Sequence, residues 1–226
     1  MGEAIGEILT PAVGVALSPI PIVAVILMLF SAKAKTNGPA FVGGWRGGFL
    51  AVVGLVLFLP APANVSSSDG KPSTTASVIQ LVLGVLLLLL AAKQWKGRPH
   101  GDEEPTMPKW MATIDKTTPI MAVGLGAFLS DVNPKNLIFN LSAGTSIVSV
   151  GTSTGGEIAA MIVYALLASL SVGVPVVWYL AAPESAGKAL EKIRVWLVHN
   201  NAIVMAVLFL LLGVNIVGKG ISGLFS

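Results

Sequence analysis

Two short segments hold the residues whose types and spacing could do chemistry in an otherwise apolar chain. The first reads Ser-Pro-Ile-Pro at residues 18–21. Proline has no N–H and clashes with the carbonyl four residues earlier, so the two prolines leave the carbonyls of Val15 and Leu17 without helical donors. We expect a helix break here. Its carbonyls are satisfied either by the Ser18 hydroxyl in a simple kink or by a ligand that faces the break.

The second segment reads Ser-Asp-Val-Asn-Pro-Lys-Asn at residues 130–136. Pro134 leaves the carbonyl of Ser130 without a helical donor. Asp131 and Lys135 are four residues apart and would share one face of a regular helix. Charges inside a membrane are costly and normally face a cavity or a partner. The two charges therefore either neutralise each other and hold the broken helix, or change partner or protonation state during transport.

The amides of the second segment add donors and acceptors suited to polar ligand groups. From both segments, the candidate substrate-binding or coupling residues are Ser18, Pro19, Pro21, Ser130, Asp131, Asn133, Pro134, Lys135 and Asn136. We predict no metal site and no cofactor, because the chain has no Cys and neither His100 nor His199 has a ligating partner at useful spacing. The apolar segments contain no catalytic grouping of Ser, His and Asp, which predicts a protein that is not an enzyme.

The composition indicates a membrane protein. Of the 226 residues, 54% are hydrophobic and 11% are charged, whereas a soluble domain carries roughly 25% charged residues. This excludes a water-soluble single domain. The formal net charge of +3 is too small to indicate a nucleic-acid partner.

Six nearly charge-free segments predict an all-α integral membrane protein with six transmembrane helices. The segments are residues 8–32, 47–68, 72–92, 117–156, 158–183 and 195–218. The fourth would reach roughly 60 Å as one straight helix, about twice the hydrocarbon thickness, so it must be interrupted. With the proline pair in the first segment, this predicts that helices one and four are broken near the midplane of the membrane.

The basic residues predict the orientation of the chain. Eleven of the 14 Lys and Arg residues flank three loops on one side: Lys33, Lys35, Arg46, Lys93, Lys96, Arg98, Lys109, Lys116, Lys188, Lys192 and Arg194. Basic loops remain in the cytoplasm, so both termini are predicted to be extracytoplasmic.

The chain also repeats itself. The segment that begins at Gly14 matches the one that begins at Gly126, at an offset of 112 residues. Three helices per copy would make the copies an inverted three-plus-three repeat, an architecture of many secondary transporters. We therefore predict a first repeat at residues 1–95, a cytoplasmic linker at 96–116 and a second repeat at 117–226.

The motif Asn133-Pro134-Lys135 resembles that of the lysine-exporter (LysE/RhtB) superfamily. Together, residues 18–21 and 130–136 look closest to its Gap-like, or glycolipid-addressing protein, family. The resemblance implies a multi-pass protein of the bacterial inner membrane that moves glycolipids or other envelope lipids towards the cell surface. It implies membrane lipids or a glycolipid substrate as partners, with other envelope-lipid transport proteins and a homo-oligomer left open.

Two alternatives to lipid transport stay open at this point. One is a proton-coupled exporter of amino acids or other small solutes, in which Asp131 carries the proton. The other is a membrane assembly factor that transports nothing and uses the breaks only to stiffen a scaffold. The chain has no phosphate-binding Gly-x-x-x-x-Gly-Lys-Ser/Thr motif, so energy for transport would come from a gradient or a partner.

Overall fold

A computed structural model describes residues 2–58, 74–98, 114, 116–151 and 153–225 of the chain. Within these residues the regular secondary structure is helical, as predicted. The helices are α1 (Gly2–Ala16), α2 (Pro19–Leu29), α3 (Ala34–Phe58), α4 (Thr74–Lys96), α5 (Pro119–Asp131), α6 (Pro134–Ser149), α7 (Thr154–Ala168), α8 (Leu170–Ala181) and α9 (Pro183–Phe225). Most of the predicted linker at 96–116 lies outside the described residues.

Among the described residues, two helices are each long and apolar enough to cross a membrane, α3 and α9. The pairs α1–α2 and α7–α8 pass the same test jointly, with bends of 60° and 64°, and would raise the number of spans to four. Helix α5 is apolar but shorter. These helices make the chain a membrane protein. The six-helix inverted repeat stays a prediction.

The chain forms two compact units, Met1–Leu59 with Thr106–Val198, and Pro60–Pro105 with His199–Ser226. In the second unit, α4 packs against the part of α9 that follows residue 198. Leu87 and Ala91 of α4 form an apolar cluster with Met205 and Phe209 of α9. These units do not test the predicted division into sequence repeats at 1–95 and 117–226, which stays a prediction.

In the first unit, α3 lies closely against α5. A methyl group on Gly44 would overlap the backbone of Val123, and one on Gly126 would overlap the backbone of Phe41. Glycine at both positions therefore lets the two helix backbones approach, as small residues do at membrane helix interfaces. This contact positions α5, the helix that ends at Asp131.

Helix α3 corrects the predicted position of Arg46. The sequence places this residue at the flank of the first basic loop, just outside a span at 47–68, whereas α3 begins at Ala34 and includes it. The guanidinium Nε donates to Ser169 Oγ at 3.1 Å, and the side chain is partly buried. This hydrogen bond to a hydroxyl at the bend between α7 and α8 gives the charged side chain a polar partner within an apolar helix.

The bend between α7 and α8 interrupts the segment 158–183, for which the sequence predicts one uninterrupted span. It occurs at Ser169, not at Pro175, through which α8 continues. Ser169 Oγ donates to the carbonyl of Ala165 at 2.6 Å, and Trp45 Nε1 donates to the carbonyl of Ala168 at 3.3 Å. Side chains of α3 and of the bend itself thus supply donors to carbonyls at the end of α7.

Candidate functional site

The first helix is broken at the predicted prolines. Helix α1 ends at Ala16, Ser18 is extended with φ −122° and ψ 94°, and α2 begins at Pro19. The N–H of Ser18 donates to the carbonyl of Ala16 at 2.9 Å, so the carbonyl of Gly14 also loses its helical donor. The break therefore exposes three backbone acceptors, on Gly14, Val15 and Leu17.

Lys135 of α6 supplies donors to two of these three acceptors. Its side chain is fully buried. The Nζ atom lies 2.5 Å from the carbonyl oxygen of Gly14, 2.9 Å from that of Leu17 and 3.1 Å from Ser18 Oγ. An ammonium group has three donors, and this arrangement gives each an acceptor. The two predicted segments, more than a hundred residues apart in the sequence, are thus in direct contact.

The Ser18 hydroxyl lies at the centre of the same contact. It is 2.7 Å from the carbonyl oxygen of Val15 and 3.1 Å from Asn136 Oδ1, and it can donate to one of them at a time. The amide Nδ2 of Asn136 donates to the carbonyl of Leu129 at 3.4 Å. Ser18, Lys135 and Asn136 are all buried. We call this group of three side chains, with the carbonyls of Gly14, Val15 and Leu17, the lysine cluster.

The second break is closed mainly by its own residues. Helix α5 ends at Asp131, Asn133 is extended with φ −71° and ψ 117°, and α6 begins at Pro134. Asn133 Oδ1 accepts the backbone N–H of Lys135 at 3.0 Å and so caps α6. Asparagine at the cap and proline at the first helical position are a combination that favours a helix start.

Asp131 belongs to a separate polar cluster that also includes Ser130, Asn140 and Tyr164. Its Oδ2 accepts the Ser130 hydroxyl at 2.7 Å, and its Oδ1 accepts Nδ2 of Asn140 at 2.8 Å. The oxygen Oδ1 of Asn140 accepts the Tyr164 hydroxyl at 2.6 Å. We call these four side chains the aspartate cluster.

The expected pairing of Asp131 with Lys135 is absent. In the described part of the chain, the ion pair that forms joins Glu191 and Arg194. Spacing by four residues brings side chains together only along a continuous helix. Here the break at Asn133 and Pro134 separates the two residues onto α5 and α6. Each charge therefore has its own neutral partners.

Both charges also lie at the less favourable ends of their own helices. Asp131 is the last residue of α5, where the helix dipole is negative, and Lys135 lies in the first turn of α6, where it is positive. Lys135 instead faces the carbonyl end of α1, which favours a cation. The stability of their own helices therefore does not explain why charged residues occupy these two positions. Their contacts with other helices explain it.

The predicted residues are brought together only in part. Ser18, Lys135 and Asn136 form the lysine cluster, Ser130 and Asp131 belong to the aspartate cluster, and Asn133 caps α6. Pro19 and Pro21 are buried at the start of α2, whereas Pro134 is exposed at the start of α6. The prolines act through the backbone geometry that they impose.

Sequence reasoning missed three residues of the aspartate cluster and its surroundings. Asn140 follows Asn136 by four residues, so the spacing could have placed both on one face of α6. Tyr164 lies in an apolar segment with no neighbouring polar signal. Gly48 of α3 faces Ser130 and Asp131 so closely that a methyl group there would overlap both side chains.

Metal-ligating residues do not converge at either cluster. Within the described residues, no group of three or more His, Cys, Asp or Glu side chains is close enough to hold a metal ion. The groups that do converge are one ammonium, one carboxylate, amides, hydroxyls and backbone carbonyls. They are suited to binding polar or charged groups by hydrogen bonds and to exchanging those bonds.

Residues 8–222 match the family model described as Sap, sulfolipid-1-addressing protein. This range contains both breaks and both polar clusters. No curated protein and no solved structure matches the chain significantly. The match supports the glycolipid-addressing family expected from the two motifs, and placement in the lysine-exporter superfamily stays a prediction.

Proposed function

This chain belongs to the sulfolipid-1-addressing protein family, and we propose that it is a transporter that moves a glycolipid or another envelope amphiphile across or out of the inner membrane. The proposal places both termini outside the cytoplasm, as the basic loops favour. It involves no catalytic step.

The observation that carries this proposal is the environment of Lys135. Its ammonium group is fully buried, and its partners are two carbonyls and a hydroxyl. Neutral partners satisfy its hydrogen bonds but leave its positive charge uncompensated. Buried charges are normally paired, because an unpaired one is costly. A sulfolipid has an anionic head group, which would compensate the charge.

The same contact links binding to movement. A sulfate or phosphate oxygen that accepts from Lys135 would replace the carbonyls of Gly14 and Leu17. These carbonyls hold α1 against α6, so their release would loosen the bend of 60° between α1 and α2. The substrate would then stabilise a second arrangement of this bend through its different contacts in the two states. Two such states are what alternating access requires.

A second candidate function has its own support. In the aspartate cluster, a hydrogen-bonded chain runs from the Tyr164 hydroxyl through Asn140 to the carboxylate of Asp131. Acidic residues inside membranes often take part in proton coupling. A proton-coupled exporter of amino acids or other small solutes would use Asp131 as its proton carrier. Lipid transport remains the first candidate because of the family match.

The test is a scramblase-type assay with the purified full-length protein in liposomes. A sulfated glycolipid with a short fluorescent acyl chain reports transfer between leaflets through quenching by external dithionite. Lys135→Gln keeps N–H donors for the carbonyls but removes the charge. We expect transfer to slow by about tenfold or more, since hydrogen bonds to charged groups are worth about 1.5–3 kcal/mol.

Lys188→Gln is the matched control, because Lys188 is an exposed lysine on α9. Transfer by folded Lys135→Gln at the wild-type rate would contradict the proposal. Export of a radiolabelled amino acid under a pH gradient, with no lipid transfer, would support the second candidate. Transfer of neither substrate by the folded wild-type protein would favour the assembly factor.

A further inference from the structure

An apolar groove lies beside the first break in the first unit. It has a volume of about 870 Å³ and is wide open to the surface. Its apolar walls come from the break, α8 and α9, and consist mainly of Leu17, Ile22, Leu170, Val174, Ile193 and Trp196. Small-molecule sites in proteins commonly measure about 300–1,000 Å³. The groove therefore has the size of a ligand site.

We propose that this groove binds an acyl chain of an anionic membrane lipid, with the lipid head group at Lys192. The inference deepens the proposed function and rests on it for the role of the lipid. It gives the lipid a binding position with its head group at Lys192, distinct from the position in which the head group faces Lys135, and it is tested by binding alone.

Two polar features distinguish the groove from an ordinary lipid-facing surface. Ser171 lines it, and its buried Oγ has no hydrogen-bond partner among the described residues. Pro175 lines it too, and proline cannot donate to the carbonyl of Ser171 four residues earlier. Ser171 thus combines a buried hydroxyl that lacks a partner in the described chain with a carbonyl that lacks its helical donor.

Lys192 gives the groove a polar end that favours an anion. It lines the groove and is exposed. Its neighbour Glu191 is engaged by Arg194, at 2.8 Å from Oε2 to Nε, so that carboxylate is committed elsewhere. Trp196, one turn further along α9, is 56% exposed and lines the same groove. Lysine and tryptophan on adjacent turns of a helix are typical of the head-group region.

The groove also touches the break that Lys135 holds. The side chain of Leu17 forms part of its wall, while the carbonyl of the same residue accepts from Lys135 at 2.9 Å. An acyl chain in the groove would therefore lie against the residue whose carbonyl must be released when the break opens. Occupancy of the groove and the state of the break are expected to influence each other.

The experiment counts bound lipids by native mass spectrometry on the purified full-length protein. The probes are phosphatidylglycerol and phosphatidylcholine with identical acyl chains, supplied in equal amounts. We expect the wild-type protein to retain phosphatidylglycerol about fivefold more than phosphatidylcholine, because one basic residue near an anionic surface is worth about 1 kcal/mol. Lys192→Gln should abolish this preference, and Lys188→Gln on the exposed face of α9 should keep it.

A second pair of variants tests the groove itself. Val174→Trp fills it, whereas Val177→Trp places the same bulk on an exposed position of α8 outside it. We expect Val174→Trp to lose the retained lipid and Val177→Trp to keep it. Leu170→Trp is a second groove variant, used if Val174→Trp does not fold.

Equal retention of the two lipids by the wild-type protein, or equal loss with both members of a matched pair, would overturn the inference and show ordinary annular lipid only. Lipid binding with these specificities, together with no lipid transfer in liposomes, would support the lipid site in the groove and contradict the proposed transport function. The two proposals can therefore fail separately.

Discussion

The two helix breaks of the first unit begin alike but are held differently. Each has one extended residue before a proline, Ser18 before Pro19 and Asn133 before Pro134. The second break is capped by its own Asn133 side chain. The first relies on Lys135 from another helix for the carbonyls of Gly14 and Leu17. The cap of the second break is therefore local, whereas the carbonyls of the first break depend on one long-range contact.

This difference indicates which break can act as the moving part. A conformational change needs an element with two arrangements of similar free energy, which a ligand can bias. The contacts of Lys135 are hydrogen bonds to neutral groups, and an anion could replace them. The capped start of α6 offers no such exchange. In the proposed transport cycle, α1 and α2 would therefore move around a fixed α6.

Lys135→Met should have the largest effect on the first break. The substitution leaves the carbonyls of Gly14 and Leu17 buried without donors, at about 1–3 kcal/mol each. The two losses sum to about 2–6 kcal/mol, and removal of the uncompensated charge offsets part of them, so we expect the free energy of unfolding to fall by about 2–5 kcal/mol, measured by denaturation in mixed detergent micelles. Lys188→Met, on an exposed position, should change it by less than about 0.5 kcal/mol. Equal values for the two variants would show that the first break does not depend on Lys135.

Gly48→Ala should cause the next largest fall in the free energy of unfolding. It acts on the end of α5, just before the second break. The added methyl group would overlap the Ser130 hydroxyl and the Asp131 carboxylate. Overpacking of this kind costs about 1–3 kcal/mol. Gly47→Ala is the matched control, because a methyl group there meets nothing within 4 Å. Alanine at that position should stabilise α3 by up to about 1 kcal/mol. The same unfolding assay should show opposite signs for these adjacent glycines.

Asn133→Ala removes the cap of α6 at the second break and leaves the first break unchanged. It should therefore lower the free energy of unfolding by less. Loss of a helix cap costs about 0.5–2 kcal/mol. Asn133→Asp should restore most of the stability, because aspartate caps helices equally well. Lipid transfer should persist in both variants if the second break only supports α6. A loss of transfer with Asn133→Ala that Asn133→Asp does not restore would instead give this side chain a direct role.

The positions of the two proline breaks could be predicted because a missing N–H is a local property. The prolines predict that the carbonyls of Val15 and Leu17 lose their helical donors, and side chains satisfy both carbonyls in the structure. The identity of the donor to Leu17 could not be predicted, because it comes from 118 residues away. Sequence spacing contains no information on which helices pack together.

Two other features show where local rules fail. Asp131 and Lys135 have the spacing of a helical ion pair, but the intervening proline break places them on different helices. The bend at Ser169 occurs without a proline, while α8 continues through Pro175. Donors from α3 and from Ser169 itself satisfy carbonyls at this bend. Tertiary contacts thus decide which interruptions become breaks.

The smallest expected effect is the coupling between the two charges, and it tests whether the two clusters are independent. If Asp131 and Lys135 neutralised each other, Asp131→Asn combined with Lys135→Met would recover the stability that each single change loses, since removal of one partner from a buried pair costs about 3–5 kcal/mol. In the structure Asp131 accepts from Ser130 and Asn140, and Lys135 donates to carbonyls of the first break and to Ser18. Without a shared partner the two changes should add, with a coupling energy below about 0.5 kcal/mol in a double-mutant cycle of unfolding free energies. Recovery of several kcal/mol in the double variant would mean that the charges do pair, and the uncompensated charge of Lys135 would no longer support an anionic substrate.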